Sequence, residues 1–231
     1  MTKHRKALVS MNNTHNSGNG NDRPKFGTIL ADPPWQFMNR TGKMAPEHRR
    51  LHRYKTMKLE EICAMPVKDI AAVQSHLYLW VPNALLADGL QVMSAWGFTY
   101  KTNIVWYKVR KDGGPDGRGV GFYFRNVTEL LLFGIRGKLR TLAPGRREVN
   151  IVVSQKQEHS RKPSKVYDVI ERCSTGPYLE LFARSPRRGW MQWGDEAPMR
   201  SDLEALRPSP IVPPTNEVQW LGGQSVLPGL D

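Results

Sequence analysis

Short apolar runs with the spacing of β-strands alternate along this chain with runs that have helical spacing. The predicted strands cover residues 27–32, 77–81, 98–107, 129–135, 149–154, 178–183 and 191–193. Such an alternation predicts an α/β fold with a mostly parallel central sheet. Because ligands of these sheets bind outside the carboxyl ends of the strands, the residues that directly follow a strand are the candidates for a functional site.

The predicted helices lie between these strands. A helical pattern over 59–72 is interrupted at Pro66, and Pro163 begins another predicted helix that runs to about Cys173. Asn83 is expected to cap a helix over 84–96, which Gly97 ends. The apolar positions of that helix are Leu85, Leu86, Leu90 and Met93.

Composition divides the chain into three parts. Residues 1–24 are rich in Asn, Gly, Ser, His and Lys and predict a flexible N-terminal arm, while 201–231 predict a Pro-rich tail. The domain is therefore expected over 25–200. The chain has 34 Lys+Arg against 21 Asp+Glu, a net charge of +13, and residues 196–231 hold only two of the basic side chains. A polyanion such as nucleic acid is the expected partner of the positively charged domain.

Membrane and secretory classes are not expected. No apolar run approaches the roughly 18–20 residues that cross a bilayer, and the first residues lack the apolar stretch of a secretion signal. We therefore expect no membrane partner and a cytoplasmic location.

The stretch Asp32-Pro33-Pro34-Trp35 follows the first predicted strand directly. Each proline fixes its own φ and restrains the residue before it, so the corner should be stiff, with carbonyl oxygens that point outward as free acceptors. The Asp32 carboxylate and one proline carbonyl could then accept the two N–H bonds of an exocyclic amine on a nucleobase, while Trp35 offers a face for stacking. The alternative is a rigid corner with a core tryptophan.

An ordered set of motifs accompanies this corner. The set comprises Tyr54-Lys-Thr-Met, Leu77-Tyr-Leu-Trp-Val, Trp96-Gly-Phe, Ile104-Val-Trp-Tyr-Lys, Glu129-Leu-Leu-Leu-Phe-Gly, Ser160-Arg-Lys-Pro, Glu180-Leu-Phe-Ala-Arg and Gly189-Trp. With Asp32-Pro-Pro-Trp, it resembles the MT-A70-type N6-adenine methyltransferases over roughly 26–196, a family with eukaryotic mRNA enzymes and bacterial or phage DNA enzymes. The resemblance implies a bacterial or phage-encoded DNA adenine methyltransferase.

The resemblance also implies a fold and a cofactor. The implied fold is Rossmann-like with a permuted motif order, in which the catalytic motif precedes the cofactor motif. The implied cofactor is S-adenosylmethionine. By resemblance, the target amine site is formed by Asp32, Pro33, Pro34 and Trp35. The cofactor is bound by Asp32, Lys162, Phe182, Arg184, Gly194, Asp195 and Glu196, and Tyr54 lies on a mobile loop beside the site.

Two basic segments are candidates for nucleic-acid contacts. Residues 40–58 contain seven Lys+Arg and one acid, and residues 136–147 contain five and none. We expect both to be loops that clamp the phosphate backbone around an extruded base. The residues assigned to the substrate are Arg49, Arg50, Arg53, Lys138 and Arg140, together with Trp35 and Tyr54. No metal site is expected, because His48 and His52 lie among basic residues that repel a cation.

Several functions stay open at this point. DNA is preferred over RNA as the substrate, and methylation of cytosine N4 poses the same chemical problem. A non-catalytic nucleic-acid-binding subunit is the rival class. The chain could act as a homodimer or with a partner subunit.

Overall fold

The computed structural model describes residues 24–37, 56–117, 123–155 and 161–194. Within these ranges the chain forms an α/β structure of seven strands and four helices. The elements are β1 (Phe26–Ala31), α1 (Leu59–Ala64), α2 (Val67–Ile70), β2 (Ala71–Val81), α3 (Leu86–Ala95), β3 (Thr99–Val109), β4 (Thr128–Arg136), β5 (Ile151–Gln155), α4 (Lys165–Cys173), β6 (Tyr178–Leu181) and β7 (Trp190–Trp193). The predicted arm over 1–24 lies almost wholly outside the described residues, and the tail over 201–231 lies entirely outside them.

The seven described strands form one sheet in the order β5-β3-β4-β2-β1-β6-β7. Strand β4 is antiparallel to both of its neighbours, β2 and β3, whereas the other adjacent pairs are parallel. The predicted mostly parallel, Rossmann-like α/β fold is therefore confirmed. Because β4 runs in the opposite direction, its first residues lie at the edge of the sheet where the other strands end.

Alternate side chains of the central strands face two separate apolar layers. Ile29 and Leu79 belong to the layer that contains α1 and α3, and Leu30 and Trp80 to the layer that contains α4. All four side chains are buried. The sheet is therefore covered on both faces, as expected for parallel strands with long apolar runs.

Strands β1 and β6 are neighbours at the point where the strand order changes direction. From β1 the chain proceeds to β2 on one side, through α1 and α2, and from β6 it proceeds to β7 on the other side. A crevice outside the carboxyl ends of two such strands is where α/β proteins bind ligands. Asp32 directly follows β1, and Phe182 directly follows β6.

The structure corrects three details of the predicted helices. The pattern over 59–72 gives two short helices, and Ala71 and Ala72 already belong to β2. Asn83 is not a cap, because its side-chain amide donates to the Thr128 carbonyl oxygen at 3.2 Å and to the Thr128 hydroxyl oxygen at 2.9 Å. Helix α3 begins only at Leu86.

The buried face of α3 also differs from the predicted one. Leu86 and Leu90 are 40% and 38% exposed, whereas Gly89, Val92 and Met93 are buried. A Cβ atom on Gly89 would lie 2.6 Å from a methyl carbon of Val81, so only glycine permits this close packing of the helix on β2. Of the predicted apolar positions, Met93 is therefore buried, whereas Leu86 and Leu90 lie on the exposed side of the helix.

No helix among the described residues has both the length and the apolar character needed to cross a membrane.

Candidate active site

The corner after β1 is held by backbone hydrogen bonds. The Trp35 N–H donates to the Pro33 carbonyl oxygen at 2.8 Å, and the Met57 N–H donates to the Pro34 carbonyl oxygen at 2.9 Å. Trp35 and Met57 also form an isolated parallel bridge. The corner is stiff, as predicted, but neither proline carbonyl is the free acceptor that the sequence suggested. Each oxygen retains one further lone pair, because a carbonyl can accept two hydrogen bonds.

Trp35 is a core residue of this corner. Its side chain is 7% exposed, and its indole N–H donates to the Trp80 carbonyl oxygen at 2.9 Å. This contradicts the prediction that Trp35 stacks on a target base, because a base can stack only on a ring face that it can reach. Trp35 instead fixes the corner against β2.

Asp32 lies in a chain of alternating charges. The Lys162 ammonium contacts both carboxylate oxygens of Asp32 at 2.8 Å and one oxygen of Glu129 at 3.0 Å. The other Glu129 oxygen contacts the Lys108 ammonium at 2.8 Å. The side chains of Lys162, Glu129 and Asp32 are 15%, 16% and 25% exposed. The chain of charges therefore runs from β3 and β4 to the end of β1 in a largely dry environment.

The environment of these groups favours their charged forms. Burial alone lowers the pKa of Lys162, but the carboxylates of Asp32 and Glu129 outweigh it and raise that pKa above its ordinary value. Burial raises the pKa of Glu129, but Lys162 and Lys108 outweigh it and hold the pKa below its ordinary value. Lys162 is thus a permanent cation beside Asp32.

Two indole rings lie beneath the two lysines. The Lys162 ammonium is 5.3 Å from the centre of the Trp80 ring, and the Lys108 ammonium is 4.5 Å from that of Trp106. The two rings meet edge to face at a centroid separation of 6.0 Å. Each lysine is therefore fixed by a cation–π contact as well as by carboxylates.

Glu180 places a second partly buried carboxylate on the neighbouring strand, β6. One of its oxygens accepts from the Tyr167 hydroxyl at 2.7 Å, and the other accepts from the Gln192 side-chain amide at 3.2 Å. Burial raises the pKa of Glu180, and the nearby Asp32 carboxylate adds to this effect, whereas the hydrogen bonds from Tyr167 and Gln192 oppose it. A cationic ligand between the two carboxylates would relieve their repulsion.

A cavity of about 160 Å³ opens between the ends of β1 and β6 and the start of α4. Asp32 and Glu180 contribute carboxylates to its wall, and Lys162 contributes an ammonium group. Further lining comes from Trp80, Arg161, Tyr167, Phe182, Arg184 and Arg187. Phe182 has the left-handed φ of +64°, unusual for a residue other than glycine, and turns the chain sharply away from β6 at this point.

The structure brings four of the predicted site residues together around the cavity and shows what Lys162 contacts. Asp32, Lys162, Phe182 and Arg184 all line the cavity. The Lys162 side chain, expected to bind the cofactor, directs its ammonium at Asp32 and Glu129. Gly194 lies beside the backbone of Ala183, where a Cβ atom would collide with the Ala183 nitrogen at 2.7 Å.

The prediction that the segment over 136–147 spans the site is wrong. Because β4 is antiparallel, the segment after it emerges at the edge of the sheet opposite to Asp32. The Arg136 guanidinium there donates to the Ala71 carbonyl oxygen, at the start of β2, at 3.4 Å. Lys138 and Arg140 are exposed in this segment and do not clamp a base at Asp32.

Other predicted residues lie outside the described ranges. They are Arg49, Arg50, Arg53, Tyr54, Asp195 and Glu196, with His48 and His52. Their roles stay predictions. Within the described ranges, no three side chains of His, Cys, Asp or Glu are grouped as a metal site would require.

Sequence reasoning did not single out Glu129 and Glu180 as members of the site. Both are acidic residues in otherwise apolar strands, Thr128–Arg136 and Tyr178–Leu181. Since a buried carboxylate is costly unless it is paired, an acid within an apolar strand was the available signal. It identifies a polar site but not its partners, which come from distant parts of the chain.

Comparison with known proteins shows the family to which the sequence is similar. The sequence profile of the MT-A70 family matches residues 26–196. The type II methyltransferase M.MunI of a Mycoplasma species is 30% identical over 195 residues, which cover 76% of this chain and 79% of that protein. A putative N(6)-adenosine-methyltransferase MT-A70-like protein of Medicago truncatula is 32% identical over 178 residues, and these cover 74% of this chain.

Less similar relatives also match most of this chain. The N(6)-adenosine-methyltransferase catalytic subunit METTL3 of Homo sapiens is 26% identical over 176 residues. The match spans 28% of the human protein and 26% of the Medicago protein. What these longer proteins share with this chain is therefore one portion of each of them, whereas the match to the Mycoplasma protein spans most of both chains.

Proposed function

This chain belongs to the MT-A70 family, and from that premise we propose that it transfers a methyl group from S-adenosylmethionine to the N6 amine of adenine in DNA. The observation that carries the proposal is the Asp32 carboxylate, held by Lys162 at the carboxyl end of β1 and in the wall of a cavity. This is the edge of an α/β sheet at which ligands bind.

The chemistry requires an amine whose lone pair is free to react. The exocyclic nitrogen of adenine is a weak nucleophile because its lone pair is delocalised into the ring. Asp32 accepts one of its N–H bonds, and the remaining lone pair of the Pro33 or Pro34 carbonyl accepts the other. The nitrogen then becomes pyramidal and directs its lone pair away from the corner. The released proton goes to Asp32 or to water.

Lys162 acts by positioning Asp32. Its ammonium contacts both oxygens of the carboxylate, and Glu129 and the Trp80 ring fix the ammonium in turn. A carboxylate held in one orientation gives the amine one geometry, and such orientation is a large part of catalysis.

Enzymes of this family depend on S-adenosylmethionine, and the residues around the cavity fit that molecule. When bound, it supplies a methyl group already activated on a positively charged sulfur. Asp32 and Glu180 provide negative charge for that cation, and Glu180 is also suited to accept a bond from a ribose hydroxyl. Arg161 and Arg184, which line the same cavity, provide positive charge for the carboxylate of the methionine part.

DNA is preferred as the substrate because the match to the Mycoplasma type II methyltransferase covers 79% of that protein. RNA is the second candidate, since the names of the plant and human relatives specify N(6)-adenosine. The intact arrangement of Asp32, Lys162 and Glu129 argues against a non-catalytic subunit, which has no need of it. Action with a partner subunit, or as a homodimer, stays a prediction.

The experiment is methyl transfer from labelled S-adenosylmethionine to matched DNA and RNA oligonucleotides, followed by mass spectrometry of the digested nucleosides. We expect N6-methyladenine in DNA. Labelled RNA alone would refute the proposed substrate, and N4-methylcytosine would refute the proposed base.

The variant Asp32→Asn tests the catalytic role. It keeps the size of the side chain but removes its charge, and we expect transfer to fall by at least about 100-fold. Asp69→Asn is the matched control, because Asp69 is an exposed acid in α2 at the opposite edge of the sheet. Equal activity of the two variants would remove Asp32 from its role.

A further inference from the structure

Two aromatic side chains stand almost wholly in solvent. Tyr123 is 95% exposed and Phe124 is 85% exposed, more than any other large apolar side chain among the described residues. Adjacent exposed aromatic rings are unusual on a protein surface and commonly mark a place where another molecule binds. The arrangement described so far gives these rings no role.

The two rings belong to the edge of the sheet where Asp32 lies. Three residues separate Phe124 from β4, whose amino end faces that edge because the strand is antiparallel. Phe124 is five residues from Glu129, a separation of at most about 17 Å between Cα atoms. The Glu129 carboxylate is 3.0 Å from the Lys162 ammonium, which in turn holds Asp32. The aromatic pair therefore belongs to the same edge of the sheet as the proposed target site.

The chain that follows the pair is firmly anchored. The Asn83 side-chain amide donates to the carbonyl oxygen and the hydroxyl oxygen of Thr128, and it lies 3.4 Å from the Asn126 side-chain oxygen. The Val127 carbonyl oxygen accepts from the Lys108 N–H at 2.8 Å. Tyr123 and Phe124 are thus presented from a base that is tied to the end of β2 and to β3.

We propose that Tyr123 and Phe124 form a stacking surface for unpaired nucleobases that flank the target adenine, an inference that rests on the proposed function. A base that leaves the stack for reaction deprives its neighbours of stacking, and aromatic side chains replace that contact. We assign a nucleic acid strand to this surface because the protein around it is positively charged. The exposed Arg125 follows the pair directly, and the chain carries a net charge of +13.

Acidic as well as basic side chains lie near the two rings, but the acidic ones do not oppose the binding of a negatively charged strand. The end of β3 contributes Arg110 and Lys111 at the same edge, together with Asp112 and Asp116. Arg110 is paired with Asp112 at 2.8 Å, and Asp116 is buried. Arg125, which follows the rings directly, and Lys111, which follows β3, are both exposed and can contact a phosphate backbone.

The test places 2-aminopurine, a fluorescent adenine analogue, at each position adjacent to the target adenine in a single-stranded DNA oligonucleotide. Binding to the intact protein should quench its fluorescence, because the analogue stacks on an aromatic ring. Tyr123→Ala and Phe124→Ala should each weaken oligonucleotide binding by roughly 5- to 150-fold and reduce the quenching. Tyr123→Phe and Phe124→Tyr keep the ring and should restore both measurements.

The control is Tyr100→Ala, which removes a partly exposed tyrosine near the amino end of β3, at the opposite edge. It should leave binding and quenching unchanged. The thermal unfolding temperature and the affinity for S-adenosylmethionine should be the same in the Tyr123 and Phe124 variants as in the wild type, since exposed rings contribute little to the core.

Two outcomes would overturn the inference. One is a Tyr123→Ala/Phe124→Ala double variant that binds and quenches like the wild type. The other is a double variant whose only defect is a lower molar mass in solution, which would show that the rings contact a second copy of the chain. Both measurements are made without methyl transfer. An absence of transfer by the wild type therefore refutes the proposed function separately.

Discussion

Replacing Lys162 with methionine should destabilise the protein by about 2–3 kcal/mol, because the change leaves a carboxylate without its cation in a largely buried place. At an effective dielectric constant of about 20, unit charges about 3 Å apart attract each other by roughly 5–6 kcal/mol, and desolvation offsets part of this attraction. Removal of one partner from a fully buried pair costs about 3–5 kcal/mol. The Asp32 side chain is 25% exposed and Glu129 keeps Lys108, so the expected cost lies at or below the lower end of that range.

The assay is urea denaturation at pH 7, followed by circular dichroism. Lys138→Met is the control, because Lys138 is exposed at the opposite edge, and it should change the unfolding free energy by less than about 0.5 kcal/mol. The double variant Lys162→Met/Asp32→Asn should be more stable than the sum of the two single changes predicts, by at least about 1 kcal/mol. This coupling free energy measures the contact between Lys162 and Asp32.

The destabilisation caused by Lys162→Met should not depend on pH between the two titration ranges. Lys162 has a raised pKa, so its contribution is complete below the unfolded value of 10.5 and is lost only as the pH rises through the folded pKa. Glu129 has a lowered pKa, so its contribution is complete above 4.5 and is lost as the pH falls through the folded pKa. A Lys162→Met variant as stable as Lys138→Met, with additive changes in the double variant, would refute the reasoning.

Three further predictions concern other buried polar groups. Burial lowers the pKa of His76 to about 4 from 6.5, so the unfolding free energy should fall by about 3 kcal/mol as the pH drops from 6.5 to 4. Urea denaturation across that range should show the decline in the wild type, and an equal decline in His76→Gln would contradict it. Glu180→Gln should weaken S-adenosylmethionine binding in calorimetry by roughly 10- to 100-fold through loss of a charged acceptor, and an unchanged affinity would exclude Glu180 from the cofactor site. Trp35→Phe leaves the Trp80 carbonyl oxygen without its donor and should cost about 1–3 kcal/mol of stability in urea while oligonucleotide affinity stays constant. Weaker oligonucleotide binding at unchanged stability would restore the stacking role.

The sheet and the corner after its first strand were predictable because their signals are local. The apolar strand Phe26–Ala31 is short and ends directly at Asp-Pro-Pro, and proline geometry depends only on neighbouring residues. The alternation of strands and helices then implied which edge of the sheet holds the site. Asp32 was singled out by its place after this strand, by the Asp-Pro-Pro-Trp motif and by the family resemblance.

The predictions that were wrong depended on the direction of a strand and on contacts between distant parts of the chain. A strand such as Thr128–Arg136 has the same apolar pattern whether it runs parallel or antiparallel, so nothing local indicated that 136–147 lie at the other edge. Asn83 resembles a helix cap, but its amide instead bonds Thr128, 45 residues away. Tertiary structure also brings Lys162 to Asp32, and Glu129 to Lys162.

The bridge between Trp35 and Met57 has a consequence for how this enzyme can diversify. It joins the two ends of the intervening segment at the corner itself, so the catalytic strand is fixed independently of what lies between them. Because the bridge already brings these two points together, a longer connection between them is expected to cost only about 0.6 kcal/mol of loop-closure free energy for each doubling of its length. We expect members of the family to differ in the length of this connection more readily than in the corner that it joins.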